Sequence, residues 1–265
     1  MVEIEGQAQA SKCPYRCSCD QGHIATSFTN TPMSTEIDIT FDFRTDAGGR
    51  DPDTHSPTLR RYHQLLWSKS LPNGTAFELS ATTPGAYLHH RSDLGEFYLS
   101  SDTVMPTFTN WIRLKPITEQ MSTLENEDFD TIIYTIGGMM IFPSNQIDRK
   151  PTINAARGFT RAIADRMDLT LECIRRHYAN LDSPLATTLA RYADFFALFG
   201  DFHGYVEFFI LNDLVDDNSE VKFFIPFDDF DSSSVPTDIG TYVTFRQGSI
   251  DFIEARNRRI GLLPF

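Results

Sequence analysis

Arg44, Asp46, Arg50, Asp51, Asp53 and His55 lie within one short stretch, FRTDAGGRDPDTHSP, rich in glycine, aspartate and proline. Arginine grips phosphate oxygens in pairs, and a neighbouring carboxylate or imidazole can move a proton. Arg44 and Arg50 are therefore read as phosphate ligands, and Asp51 and His55 as acid or base groups. Gly48-Gly49 would let backbone approach a ligand closely, yet the stretch carries neither GxxxxGK[ST] nor GxGxxG. A turn held by capping aspartates accounts for the same residues.

Two further groups could join it. Lys69 in WSKSLPNG, with Ser100, Ser101 and Asp102 in YLSSD, offers a cation, two hydroxyls and a carboxylate. Lys69 and the serines are read as ligand contacts and Asp102 as a third acid or base. An arginine ending one strand, serines ending a later one and a glutamate later still resembles the loose order of ADP-ribosyltransferases, which hold NAD between such strands. Arg44, Ser100 or Ser101, and Glu125 or Glu127 occupy those places here. The last group runs along Thr152 to Tyr178, TINAARGFTRAIADRMDLTLECIRRHY. On one continuous helix, Asn154, Arg157, Arg161, Asp165, Asp168, Glu172 and Arg175 would share a stripe opposite Ala156, Ile163, Met167, Ile174 and Tyr178. Such a stripe is a solvated ladder, with pairs such as Arg161–Asp165 and Glu172–Arg176, or a wall that binds an anion through Asn154, Arg157 and Arg161.

Other chemistry finds less support. His55, His63, His89, His90 and His177 are dispersed without HExxH, and GxSxG is absent. An arginine-to-histidine spacing like that of helical ribonucleases is not met before His177, where Thr170, Leu171 and Glu172 stand instead. Cys13, Cys17, Cys19 and His23 have the side-chain types that zinc takes, but a one-residue spacer strains tetrahedral chelation. No metal site is assigned. Met33 opens MSTEIDITFDF as a natural start would, so residues 1–32 are expected to be a disordered leader or upstream extension.

The elements that would position these groups follow from periodicity. Ile37 to Phe43 alternates apolar and polar, which predicts a strand. Ser56-Pro57 predicts a helix start before LRRYHQLLW. Short strands are expected at Phe77 to Leu79, Ala86 to His89 and Glu96 to Ser100, and a helix from about Glu119 broken by ENEDFD. Ile132 to Phe142, with Gly137-Gly138 inside it, reads as a central strand with a bulge. Helices are then expected over Thr152 to Tyr178, Leu185 to Phe199 and Ile239 to Ile260, with VKFFIPF as a strand and YVEFFILNDLV open to either form. Strands first and helices later make the class α+β, a strand-rich N-terminal half packed with a helical C-terminal half over residues 33–265.

The chain has 265 residues, 41% of them hydrophobic, which suffices for a core without staples. A net charge of −13 opposes phosphate backbones, so nucleic acid is a disfavoured partner but not an excluded one. Much of that charge falls between Asp201 and Asp238, which a basic protein partner could meet. No run approaches the ~18 apolar residues of a membrane helix, and no secretory signal opens the chain.

Taken with DPDTHSPTLRRYHQLLWSKSLPNG, GEFYLSSD, TIGGMMIFPSNQID, TINAARG, DRMDLTLECIRRHY and DFFALFGDFHGYVEFF, the chain from about Thr35 to Ile260 resembles a family of bacterial proteins known as a domain of unknown function. The resemblance implies a bacterial, cytoplasmic protein of one compact unit and transfers no mechanism. From the residues themselves we expect an enzyme or ligand-binding domain for a nucleotide or phosphorylated small molecule, ADP-ribosyl transfer from NAD being one version. A nuclease-like effector and a noncatalytic protein-interaction domain are the alternatives. No cofactor or oligomeric state is assigned.

Overall fold

The computed structural model describes residues 36–264. The expected leader and the Cys13, Cys17, Cys19, His23 cluster lie outside the described residues. Among the described residues, five strands, all before Ser144, and ten α-helices follow one another in an α+β order. Asp51 caps a short helix α1 (Pro52–His55), and Ser56 caps α2 (Pro57–Trp67) by accepting from Leu59 N at 3.0 Å. Proline at the first position of each supplies a preset φ where no intrahelical N–H is needed. Strands β1 (Lys69–Ser70) and β2 (Ala76–Phe77) form a minimal hairpin.

The larger sheet is antiparallel in the order β3 (Leu88–Ser92), β4 (Gly95–Thr103), β5 (Met139–Pro143). Ser101 pairs with Ile141 and Asp102 with Met140. The central strand is therefore β4. Between β4 and β5 stand α3 (Lys115–Thr118) and α4 (Thr123–Ile133), the latter opened by a reciprocal Ser122–Glu125 capping box. Helices α5 (Ile153–Phe159), α6 (Met167–Tyr178), α7 (Ala186–Ala190), α8 (Ala193–Ala197), α9 (Phe202–Phe208) and α10 (Ile239–Gly261) follow. No helix among the described residues is long and apolar enough to cross a membrane.

Several expectations are corrected. Ile37 to Phe43 is not a strand: Asp38 accepts from Thr40 N and Asp42 from Arg44 N, both at 2.9 Å, and these local bonds compete with pairing to another strand. The segment ENEDFD does not break a helix but forms the body of α4. Ile132 to Phe142 is the end of α4, a 3-10 turn over Ile136–Gly138, and β5 at the sheet edge. Its glycines are there for contact, since a Cβ on Gly138 would stand 2.0 Å from Ile133 O. Leu185 to Phe199 divides into α7 and α8, and Val221 to Phe227 holds one β-bridge, Val215–Val221, in place of a strand.

The stretch from Thr152 to Tyr178 is two helices, α5 and α6, separated by Ala164 and Asp165 at φ 49° and 64°. The break follows from Arg157. Its Nη2 donates to Asp165 O at 2.9 Å while Asp165 N donates to Arg157 O at 3.2 Å, so the buried guanidinium draws the chain back over itself. The expected Arg161–Asp165 pair is replaced by Arg157–Asp165 at 3.7 Å, whereas Glu172–Arg176 forms at 2.8 Å.

Candidate functional site

The 3.6-residue repeat of α2 buries Leu59, His63, Leu66 and Trp67. His63 and Trp67, one turn apart, touch: the indole Nε1–H donates to His63 Nδ1 at 3.0 Å. The two-residue repeat of β4 turns Phe97, Leu99 and Ser101 into the core and sets Ser100 and Asp102 on the opposite face. Ser101 Oγ lies 3.0 Å from His63 Nε2 and donates to Asp53 Oδ1 at 3.2 Å. Burial, and then the charge of Asp51, push Asp53 up to about 7. Burial holds His63, fully enclosed, down to about 3. A carboxyl that burial raises toward neutrality and an imidazole that burial keeps neutral at pH 7 thus flank one serine hydroxyl.

On the other face of β4, Thr152 caps α5 and places Asn154 and Arg157 inward. Asn154 Nδ2 donates to Ser100 Oγ and Ser101 O, each at 3.2 Å. Arg157, with no exposure, donates from Nη1 to Asp102 Oδ2 at 2.6 Å and from Nε to Thr170 Oγ1 at 2.9 Å. Its Nη2 takes Asp165 O, and the guanidinium packs 4.9 Å from the Phe142 ring centroid. Asp102 is raised well above the ordinary carboxylate value because desolvation outweighs the Arg157 charge. Asp102 and Asp53 repel one another, and both feel Asp165 and Arg157, so the two faces share one field at the end of β4.

A cavity of about 260 Å³ opens beside Thr103, the next residue of β4, between Arg44, Trp111, Asp130 and Tyr134. Arg44 holds Asp42 through Nε and Nη2 and reaches Thr131 Oγ1 at 2.8 Å, so Nη1 remains without a hydrogen bond among the described residues. Tyr134 is pushed to about 12 by burial and then by the charges of Asp53 and Asp51. That ties the cavity wall to Asp53 of α1 and to its cap, Asp51.

The structure therefore brings Ser100, Ser101, Asp102, Asn154 and Arg157 together, with Arg44 at the adjoining cavity. Arg50, Asp51, His55 and Arg161 are exposed. Asp51 serves α1 as its cap, and His55 Nδ1 lies 2.7 Å from Thr54 Oγ1. Lys69 sits elsewhere, donating to Phe208 O at the end of α9 beneath the rings of Trp67 and Phe208, where burial lowers it to about 8. Glu125 is occupied as the α4 cap, and Glu127 is exposed. Arg166 is buried against Asp168, and His177 packs on Phe196 at 5.1 Å. Asp229 is bound by Arg176 at 3.1 Å, while Asp228 and Asp231 are exposed.

Asp53, His63, Trp67 and Asp165 are not among the site residues expected from sequence. Their signals were present in part: a histidine and a tryptophan four apart on a buried helical face, and a serine at an inward position of a strand. Among the described residues, no group of three His, Cys, Asp or Glu side chains is arranged to hold a metal ion. A family model described as "Family of unknown function (DUF6994)" matches residues 37–260. No curated protein and no solved structure matches the chain.

Proposed function

The chain belongs to this family of unknown function, and we propose, from its own residues, that it is an enzyme or ligand-binding domain for a nucleotide or other phosphorylated small molecule, exchanging a proton at Asp53. The observation that carries the reading is the position of Asp53. It receives the Ser101 hydroxyl at 3.2 Å, holds a proton affinity near neutrality, and lies within the field of the Arg44 cavity. A group with that affinity presents both acid and base forms at pH 7, the condition for general acid–base catalysis. Near-neutral carboxylates in clefts are functional-site candidates for this reason.

The rest of the constellation supplies geometry. Arg157 engages Asp102, Thr170 and Asp165, so it braces the end of β4 and leaves little for a ligand. Arg44, whose Nη1 has no hydrogen bond among the described residues, is the guanidinium that suits a phosphate, and the Trp111 and Tyr134 rings suit a planar ring beside it. For ADP-ribosyl transfer, neither expected glutamate bonds Ser101 among the described residues: Glu125 accepts from Ser122 Oγ at 2.7 Å, and Glu127 is exposed. The bacterial, cytoplasmic setting that the resemblance implies is part of the same proposal.

Thermal denaturation across a panel of nucleotides, NAD and sugar phosphates tests it. Stabilisation is expected to grow with ligand concentration as mass action requires, and Arg44→Gln is expected to abolish it while leaving the unliganded melting temperature near wild type. No stabilisation by any of them at millimolar concentration would overturn the reading.

A further inference from the structure

The series Trp67, His63, Ser101, Asp53 has a direction, and the direction is set at the end farthest from Asp53. Indole nitrogen is a donor only, so its bond of 3.0 Å to His63 Nδ1 requires that nitrogen to be a bare acceptor. His63 is fully buried and neutral, so its single proton must sit on Nε2. An Nε2–H facing Ser101 Oγ at 3.0 Å can only donate. The Ser101 oxygen is then an acceptor toward His63, and its own proton turns to Asp53 Oδ1 at 3.2 Å. The Tyr87 hydroxyl also faces Ser101 and Asp53, and burial, then the Asp53 charge, raise it, so it stays protonated and does not compete as an anion for the Ser101 proton.

We propose that Trp67 and His63 are positioning residues that aim the Ser101 hydroxyl at Asp53 and thereby set the proton affinity of Asp53 from two side chains away. The same direction removes Ser101 as a nucleophile. A serine activated by histidine needs a bare imidazole nitrogen facing its hydroxyl, and here that nitrogen carries the proton. A serine, a histidine and an aspartate in mutual contact are thus wired for the opposite task, keeping a carboxylate supplied with a donor. A hydrogen bond to the ionised form favours it, so the series restrains a carboxyl that burial and Asp51 drive upward. All of this rests on the reading of Asp53 as the proton-exchanging group.

The test needs no ligand, so it can fail while ligand binding stands, and the converse. Long-range proton–nitrogen NMR of the wild-type protein is expected to show His63 as the neutral Nε2–H form, unchanged from pH 5 to pH 8. An Nδ1–H form, or protonation within that range, would overturn the proposal. Replacing the Trp67 indole by benzothienylalanine keeps its shape and removes the N–H, and Trp67→Phe serves as a second variant. In either folded variant His63 is expected to populate the Nδ1–H form. The Asp53 midpoint, followed by carboxyl carbon NMR, is expected to rise by about one pH unit, tenfold in proton affinity, as it does directly in Ser101→Ala. A role in packing alone would lower stability and leave that midpoint in place, which would equally overturn the proposal.

Discussion

Asp53 links stability to pH in a direction opposite to a salt-bridged carboxylate. Its folded value, about 7, exceeds the unfolded value of 3.8. The folded protein therefore holds a proton that the unfolded chain has released, and the resulting stability is complete below pH 4 and lost as pH rises through 7. Asp53→Asn mimics the protonated form at every pH. It is expected to raise stability by about 2 kcal/mol at pH 8, after allowance for partial exposure, and by almost nothing at pH 4. Urea titrations at the two pH values check it, and an equal effect at both would contradict the raised affinity. At this scale the sequence was legible in kind and not in place. Ser100, Ser101, Asp102, Asn154 and Arg157 were singled out and do converge. Sequence points to Asp51 and His55 and not to Asp53 because side-chain exposure is not written in the loop; both are exposed, and Asp51 is occupied as a cap.

Among the elements, the 3-10 turn at Ile136–Gly138 decides how α4, β5 and α10 meet. Asn257 of α10 accepts from Gly137 N at 2.6 Å and donates to Thr135 Oγ1 at 2.8 Å. A Cβ on Gly137 would stand 2.4 Å from Ile253 O, and one on Gly138 2.0 Å from Ile133 O. Backbone cannot yield as a flexible side chain can. Gly138→Ala is expected to cost at least about 3 kcal/mol in denaturant titration, in the range of severe overpacking. Gly85→Ala, at φ 76° with open space around it, is expected to cost about 1 kcal/mol from backbone strain alone. Equal losses at the two sites would show that the close approach does not govern the turn. The periodic run from Ile132 to Phe142 gave no notice of this, because a buried helix end, a tight turn and a buried strand all look apolar.

At the scale of the molecule, three arginines are almost wholly enclosed among the described residues: Arg157, Arg166 and Arg256. Arg166 pairs with Asp168 and donates to Ser234 O at 3.0 Å, and Phe224 N donates to Asp168 at 3.2 Å, so one pair fastens the segment before α10 to α6. Arg256 faces no carboxylate among the described residues. It donates to Gly137 O, Met139 O and Phe209 O, joining α10 to the start of β5 and the end of α9. Asp168→Asn leaves Arg166 buried without its counter-charge, and a loss of about 3–5 kcal/mol is expected. Neutralising the exposed Asp231 is expected to change stability by less than about 0.5 kcal/mol. Parallel melting curves separate the two, and matched effects would mean the acidic segment is held by something other than Arg166.

By itself the sequence determined what local spacing can encode: α2 with its Ser56 cap and Pro57, α10 from Ile239, strands near β3 and β4 though not their pairing, and the α+β class. These rest on side-chain period and on hydrogen bonds within a few residues, which the order of amino acids carries directly. Only the tertiary structure decided that Thr152 to Tyr178 breaks at Asp165, that Gly138 ends a turn and does not sit within a strand, and that Asp53 meets Ser101 across the fold. The break at Asp165 and the meeting of Asp53 with Ser101 depend on buried polar groups finding partners that side-chain period does not specify. The turn at Gly138 depends on a close backbone approach beside Gly137 N, which Asn257 holds. A guanidinium or carboxyl taken out of water must be answered wherever packing places it, and that requirement overrides local preference.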